Sequence, residues 1–251
     1  MKTIQLVGSR NKSDFTIYLS HLLTKLDQRV LIVDTTERGI YQHGIARLNG
    51  NQHLYDFQQI DILAGAKEWL DVEELLRIEG ESTTNYDTVI VDMDSTKIIS
   101  NEWPIFEERY YIGDEERLNQ MQDIDLLHLL FDETEDKNIK RVTFKSGYEL
   151  TGDYFDNLLN HRATWRSMNH MIEPDEFMIS LRIQMGHDHI IPFKKVNKQY
   201  KDVLCEIVSE IYEMHIKEVQ DAVKTSFFKF GTKRVKKEKT KERALVIGSS
   251  N

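Results

Sequence analysis

The sequence predicts an α/β protein built on a doubly wound, mostly parallel sheet with helices on both of its faces. Short apolar runs alternate with longer segments in which apolar residues recur every three or four positions, an order typical of βαβ units. The chain of 251 residues is long enough to bury the core of one large α/β domain. Since no repeat or linker divides it, we expect a single domain over 1–226, ending in a long helix, and a separate tail over 227–251.

The predicted elements follow one another along the whole domain. They are a strand at 4–7, a helix at 12–27, strands at 30–33 and 60–63, a helix at 68–78, strands at 88–91 and 109–112, a helix at 115–131, a strand at 141–144, a helix at 154–160, a strand at 177–183 and a helix at 198–223. The runs at 30–33 and 88–91 are apolar throughout, which is typical of central strands buried on both faces. The run at 177–183 is assigned to a strand because its apolar residues alternate.

The composition is that of an ordinary globular protein, with 40% hydrophobic and 30% charged residues. No apolar run approaches the roughly 18 residues that span a bilayer, and Met1–Val7 does not resemble a signal peptide. Cys205 is the single cysteine, so no internal disulfide can form, and we expect a buried thiol. His187 and His189 flank an acid, but without further ligands they indicate surface residues rather than a metal site. These features predict a cytoplasmic protein.

The net charge of −9 is unevenly distributed along the chain. Residues 231–243 contain seven Lys or Arg and two Glu, a local charge of +5, so the remainder carries −14. An acidic body disfavours a general nucleic-acid-binding surface. The basic tail therefore has to be interpreted separately from the body.

The tail combines aromatic and basic residues. Phe227, Phe228 and Phe230 stand beside the basic cluster, so that 227–243 resembles a segment that binds an anionic membrane surface. The alternatives are a disordered tail that binds a partner protein, a tail without a role and, less favoured, a tail that binds nucleic acid. The apolar patch Ala244–Ile247 is compatible with a short docking strand.

Polar residues follow three of the predicted strands at the point where each strand ends. The first strand continues into the stretch 8–14, the strand at 30–33 is followed by Asp34, and the strand at 88–91 by Asp92. In open α/β sheets the ligand crevice lies at these carboxyl ends. Two carboxylates facing a strand-to-helix turn form the layout of a magnesium-nucleotide site, where a G-x-x-x-x-G-K-[ST] loop cradles phosphates with backbone N–H groups.

Three stretches at these positions, IQLVGSRNKSDFTIYLSHLL, RVLIVDTTERG and YDTVIVDMDS, resemble the ParA/MinD family of deviant Walker P-loop ATPases in order and spacing. HIIPFKKVNKQYKDV is similar to the family's segment before its last helix. The resemblance covers about the first 95 residues and, beyond them, the order of the elements. It implies a P-loop NTPase-like fold, in which Gly8, Lys12 and Ser13 match the phosphate loop. Asp34 matches the first aspartate after the second strand, and Asp92 the Walker B aspartate.

The same stretches depart from the family pattern. The signature lysine falls on Val7, two loop glycines fall on Ser9 and Asn11, the second aspartate after the second strand falls on Thr36, and a threonine after the loop lysine falls on Asp14. Loss of a positive charge at a transition-state contact costs on the order of 100-fold in rate. Asn11 and Asp14 have capping-box spacing, so we expect the helix to cap its own N-terminus. The phosphate loop is therefore predicted to be degenerate.

We accordingly predict no catalytic residue and a vestigial nucleotide site. Gly8, Lys12 and Ser13 would be remnants of the phosphate loop, and Asp34 and Asp92 remnants of the magnesium site. The expected cofactor is none, or weakly bound ATP or ADP with magnesium. The other interpretation places Lys12 and Ser13 in a solvated helical turn and has the two aspartates cap neighbouring turns.

The predicted function is that of a pseudo-ATPase. Such a catalytically degenerate ParA/MinD-like protein would localise or assemble a bacterial machine for pili, secretion, division or partition, through contacts with a partner protein and as a homodimer. One alternative is an active ATPase that cycles between a monomer and an ATP-bridged dimer. The other is a nucleic-acid-associated partition or regulatory protein. The expected location is cytoplasmic, and peripheral at the inner membrane face if the tail binds lipid.

Overall fold

A computed structural model describes residues 1–45, 52–148, 154–167 and 169–225, and these form nine strands and nine α-helices. The elements are β1 (Lys2–Val7), α1 (Ser13–Lys25), β2 (Val30–Asp34), α2 (Ile40–Gly44), β3 (Leu54–Phe57), β4 (Ile60–Ala64), α3 (Trp69–Ile78), β5 (Thr88–Met93), α4 (Thr96–Ile99), β6 (Glu108–Asp114), α5 (Arg117–Glu133), β7 (Asn138–Phe144), α6 (Tyr154–Leu158), β8 (Thr164–Trp165), β9 (His170–Ile172), α7 (Glu176–Asp188), α8 (Lys198–Tyr212) and α9 (Ile216–Thr225). Short 3-10 turns lie at Thr83–Asn85 and Phe193–Lys195.

The strands form one sheet in the order β3-β4-β2-β5-β1-β6-β7-β8, with β9 also paired to β7. Every pairing is parallel except that of β3 with β4. The predicted doubly wound α/β fold is therefore confirmed. The register aligns the strand ends, because Asp34 lies opposite Asp92 and Val7 opposite Met93. The three strand ends chosen from the sequence thus meet at one edge of the sheet.

Each face of the sheet is covered by its own hydrophobic layer. Ile32 of β2 faces a layer that includes α1, α7 and α8, whereas Leu31 and Val33 face a layer that includes α3 and α5. This alternation follows from the two-residue period of a strand, and it explains why the central runs are apolar at every position. The two layers bury β1, β2 and β5 on both faces, so the loops that leave their carboxyl ends start from the packed core.

The predicted strand at 177–183 is wrong, because these residues lie in α7. Met178, Leu181 and Met185 are buried at helical spacing, whereas Ile179 and Ile183 are more than half exposed. An alternating apolar run therefore concealed a helix with one buried face and two isoleucines on the outside.

The predicted helix at 198–223 is two helices. Glu213 adopts φ +52° and ends α8, and α9 begins three residues later. The short strands β3, β8 and β9 and the short helices α2 and α4 were not predicted from the sequence. Among the described residues no helix is both long and apolar enough to cross a membrane. The predicted tail, 227–251, lies outside the described residues.

Candidate phosphate-loop site

The loop that follows β1 begins at a position that only glycine fits. Gly8 has φ +146°, and a Cβ added there would lie 2.3 Å from the carbonyl oxygen of Ile112 in β6. A side chain would therefore collide with the neighbouring strand as well as strain the backbone. The loop then turns from the sheet edge into α1, which begins at Ser13.

The side chain of Lys12 is folded inward and fully buried. Its Nζ lies 2.8 Å from Oδ1 of Asp92 at the end of β5, and it donates hydrogen bonds to the carbonyl oxygens of Gly8 and, at 3.3 Å, of Met93. The alternative of a solvated Lys12 is thus wrong. Lys12 and Asp92, chosen from the sequence as separate remnants, form one buried ion pair.

A tyrosine completes this ion pair. Tyr41 of α2 is fully buried, and its hydroxyl donates a hydrogen bond to Oδ2 of Asp92. Burial and then the charge of Asp92 raise the pKa of Tyr41 well above its ordinary value, so the phenol remains a donor. Both carboxylate oxygens of Asp92 are therefore engaged, one by the Lys12 ammonium and the other by the phenol.

Asp34 caps the turn that leads from β2 into α2. Its Oδ1 accepts hydrogen bonds from the backbone N–H (3.1 Å) and hydroxyl (2.6 Å) of Thr36, and its Oδ2 accepts from the N–H groups of Tyr41 and Gln42, both at 3.0 Å. Burial raises the pKa of Asp34, and the hydrogen bonds from Thr36 and Gln42 offset part of that rise. The geometry matches the turn-capping interpretation.

The N-cap of α1 is Lys12 rather than the predicted Asn11, which instead forms a turn with Ser13 at the start of the helix. The Oδ1 of Asn11 accepts hydrogen bonds from the backbone N–H (3.0 Å) and the hydroxyl (2.7 Å) of Ser13. The predicted reciprocal cap by Asp14 is wrong, because Asp14 is buried facing the phenols of Tyr18 and Tyr200. Burial and then the charge of Asp14 raise the pKa of both phenols.

Asp123 of α5 also contacts the loop, and sequence reasoning missed it. This fully buried carboxylate accepts the backbone N–H of Ser9 at 2.6 Å and the hydroxyl of Tyr111 at 2.8 Å. The hydroxyl of Ser9 donates to the carbonyl oxygen of Asn119, one turn earlier in α5. The only sequence signal was an acidic residue beside the apolar positions of a predicted helix.

Magnesium does not fit this set of side chains as they are arranged. Mg²⁺ requires free oxygen ligands in octahedral geometry. Both oxygens of Asp92 are engaged, those of Asp34 accept four hydrogen bonds, and the Ser13 hydroxyl donates to Asn11. Within the described ranges, no group of three or more His, Cys, Asp or Glu could hold a metal ion.

Two clefts open on this side of the molecule, and the smaller one is lined in part by the loop. One of about 630 Å³ opens beside the ends of β2, β4 and β5, and its lining includes Asp34, Thr36 and Lys97. The other, of about 440 Å³, lies between the start of α1, α2 and α7, and its lining includes Ser13 and His187. Away from both clefts, the thiol of Cys205 is buried as predicted, and burial raises its pKa to about 11.

Comparison with known proteins finds solved structures that share this fold. No protein-family model matches the sequence, and no curated protein is similar to it. A ParA family ATPase from Chlorobium tepidum TLS is 13% identical, and its match covers 81% of this chain and 95% of the ATPase with a TM-score of 0.54. The MinD cell division protein of Aquifex aeolicus is also 13% identical, with 83% and 98% covered and a TM-score of 0.52.

The fold is that of the ParA/MinD ATPases. A chain of the MinC:MinD cell division complex of Aquifex aeolicus matches in the same way, with 13% identity, 83% and 96% coverage and a TM-score of 0.51. The ParA/MinD fold expected from the first 95 residues thus extends over four-fifths of the chain. At this level of identity the likeness concerns the fold, and the side chains of the site have to be interpreted from their own contacts.

Proposed function

We propose that this chain is a ParA/MinD-fold protein that does not hydrolyse ATP and acts through protein contacts, as a localisation or assembly factor of a bacterial machine. The proposal rests on one observation, that both carboxylate oxygens of Asp92 are already occupied by other side chains. An acidic residue at this position serves a nucleotide site through its free oxygens, whereas here Lys12 and Tyr41 engage both of them. The same lysine is thereby turned away from any phosphate.

The positions that depart from the family pattern support the same proposal. Thr36, where the resemblance implies an aspartate, has a structural role: its hydroxyl donates to Asp34 and accepts the N–H of Ile40 at 2.8 Å. Val7, where the resemblance implies a lysine, is fully buried in the core. Neither side chain can orient water or offset phosphate charge, so hydrolysis is not expected.

Exposed apolar side chains favour action through a protein surface. Phe177, Ile179 and Ile183 of α7 are each more than half exposed, and Ile190 follows just after that helix. Several exposed large apolar side chains within one short segment are compatible with a protein-binding face. The MinD neighbour was solved in a complex with MinC, and a partner protein or a second copy of this chain is proposed here by analogy.

Binding and turnover measurements on the purified full-length chain test the proposal. With magnesium-ATP, we expect no saturable heat in calorimetry and no phosphate release above the rate of the Lys12→Ala variant. Micromolar binding that Lys12→Ala abolishes would contradict the closed site. Steady phosphate release that Lys12→Ala abolishes would instead support the ATPase alternative.

The role of the tail is tested by co-sedimentation. Full-length protein and a version lacking 227–251 are compared on anionic liposomes and on DNA at several salt concentrations. We propose that the tail assists contact with the anionic membrane or with a partner protein. Pelleting of the full-length protein with liposomes, but not of the truncated one, is the expected result for membrane contact. Pelleting with DNA alone would favour the nucleic-acid alternative.

A further inference from the structure

The phosphate loop is tied to the opposite layer of the molecule by side chains that the proposed function does not use. The loop leads into α1 on one face of the sheet, whereas Asp123 projects from α5, which packs on the other face. Asp123 is fully buried, and its Oδ1 lies 2.6 Å from the backbone nitrogen of Ser9. A carboxylate that accepts a backbone N–H in a buried site makes a strong, charge-assisted hydrogen bond.

A second donor fixes the other oxygen of this carboxylate. Tyr111 of β6 donates its hydroxyl to Oδ2 of Asp123 at 2.8 Å. Burial and then the charge of Asp123 raise the pKa of Tyr111 well above its ordinary value, so the phenol stays protonated. Gly113 leaves room for this phenol, because a Cβ there would lie 2.1 Å from the Tyr111 hydroxyl oxygen.

Further contacts hold the same part of the loop. The hydroxyl of Ser9 donates to the carbonyl oxygen of Asn119 at 3.1 Å. The Nε of Arg10 lies 3.6 Å from Oδ2 of Asp114, the last residue of β6, and its guanidinium lies 3.4 Å above the ring of Phe144. Ser9 and Arg10 are thus held on the side of β6, β7 and α5.

We propose that this loop is a carboxylate-binding loop whose ligand is the chain's own Asp123, and that Asp123 latches it closed to phosphate. Backbone N–H groups of such a loop bind anions because they are preorganised donors. Here the Ser9 amide is committed to an internal anion, which cannot dissociate from the molecule. The latch explains how the loop keeps its conformation within a ParA/MinD fold when no nucleotide is bound. This inference rests on the proposed function.

An anion titration of the full-length protein tests the latch. The backbone amide resonances of residues 8–13 are followed by NMR during addition of sodium pyrophosphate without magnesium. Wild type and Asp125→Ala, which removes an exposed carboxylate from the same helix, are expected to show no saturable shift. Asp123→Ala is expected to show a saturable shift, with an apparent affinity at least about tenfold above the weakest that the titration can detect. A folded Asp123→Ala variant that responds no more than wild type would overturn the latch.

A second variant tests the latch if Asp123→Ala does not fold. Asp123→Asn keeps an acceptor oxygen of the same size but removes the charge that strengthens the bond. We expect hydrogen exchange at the Ser9 amide to accelerate on the order of tenfold, while Asp125→Ala leaves it unchanged. Equal exchange in Asp123→Asn and wild type would overturn the latch.

The latch and the proposed function fail differently. If wild type binds and hydrolyses magnesium-ATP at the loop, the proposed function fails, and the latch, which rests on it, fails with it. If wild type ignores magnesium-ATP and Asp123→Ala ignores pyrophosphate, the proposed function survives and the latch alone is wrong.

Discussion

Two clusters of charged side chains connect helices to the sheet, and they differ in their access to water. At the loop between β1 and α1, Lys12 and Asp92 are fully buried, with their charges balanced inside the protein. At β9, His170 lies between Glu206 and Glu210 of α8, whose side chains are 48% and 30% exposed. Burial turns the first cluster into a fixed structural unit, whereas the second can exchange protons with solvent. We therefore expect the first cluster to contribute more to the free energy of unfolding, and the second to make that free energy depend on pH.

The largest effect is expected from breaking the buried ion pair. Lys12→Met removes the ammonium group, keeps an apolar chain of similar length and leaves Asp92 with the phenol of Tyr41 alone. An uncompensated buried charge destabilises a fold by about 3–5 kcal/mol. Urea unfolding followed by circular dichroism measures the change in the free energy of unfolding.

An exposed ion pair supplies the matched control for this variant. Lys97 and Glu37 are 3.0 Å apart with side chains 83% and 53% exposed. Lys97→Met is expected to change the free energy of unfolding by at most about 1 kcal/mol. A Lys12→Met variant no less stable than Lys97→Met would show that the Asp92 cluster does not support the fold.

A smaller loss is expected from removing the phenol of the same cluster. Tyr41→Phe keeps the ring in the core and deletes only the hydroxyl that donates to Asp92. Leaving a buried acceptor with one partner fewer costs about 1–3 kcal/mol. Tyr212→Phe, which removes a half-buried hydroxyl beside Thr88, is the control and should cost less. Equal thermal midpoints for Tyr41→Phe and wild type would contradict the role given to this phenol.

The smallest effect is a pH dependence that arises at His170. Burial opposes protonation of this ring, but the hydrogen bond and charge of Glu210 and the charge of Glu206 outweigh it and raise the pKa of His170. The pair therefore contributes fully below the unfolded pKa of about 6.5, and its contribution is lost as the pH rises through the raised folded value. Lys140 lies 3.2 Å from Glu210 and also 3.0 Å from Glu108, so it competes for the same carboxylate.

Unfolding free energies measured from pH 5.5 to 8.5 check this expectation. Wild type should lose about 1 kcal/mol or less relative to His170→Gln across that interval, because the carboxylates are partly solvated. Parallel curves for the two proteins would show that the His170 cluster does not titrate with folding.

The sequence was informative where local pattern decides structure. The apolar strands ending at Val7, Asp34 and Asp92 were predictable because parallel central strands are apolar on both faces and share one carboxyl edge. The helical period of α1 and α5 was equally clear. α7 was predicted as a strand at 177–183 because its exposed isoleucines give this part of the helix an alternating apolar pattern.

The contacts that close the site were not predictable, because they are long-range. Tyr41 reaches Asp92 across 51 positions and Asp123 reaches Ser9 across 114. Neither pairing leaves a periodic trace in one sequence. Motif spacing selected Lys12 for the phosphate loop and Asp92 for the magnesium site, but it did not predict that the two side chains bind each other. Whether Lys12 is free or bound to Asp92 decides whether these residues form a nucleotide site or a structural ion pair.

A crystal structure grown with magnesium and a non-hydrolysable ATP analogue tests the central claim most directly. We expect Lys12 Nζ to remain on Asp92, the Tyr41 hydroxyl to remain on the other oxygen of that carboxylate, and the Ser9 amide to remain on Asp123. A structure in which Lys12 contacts the phosphates of the bound analogue and Tyr41 has left Asp92 would contradict the claim.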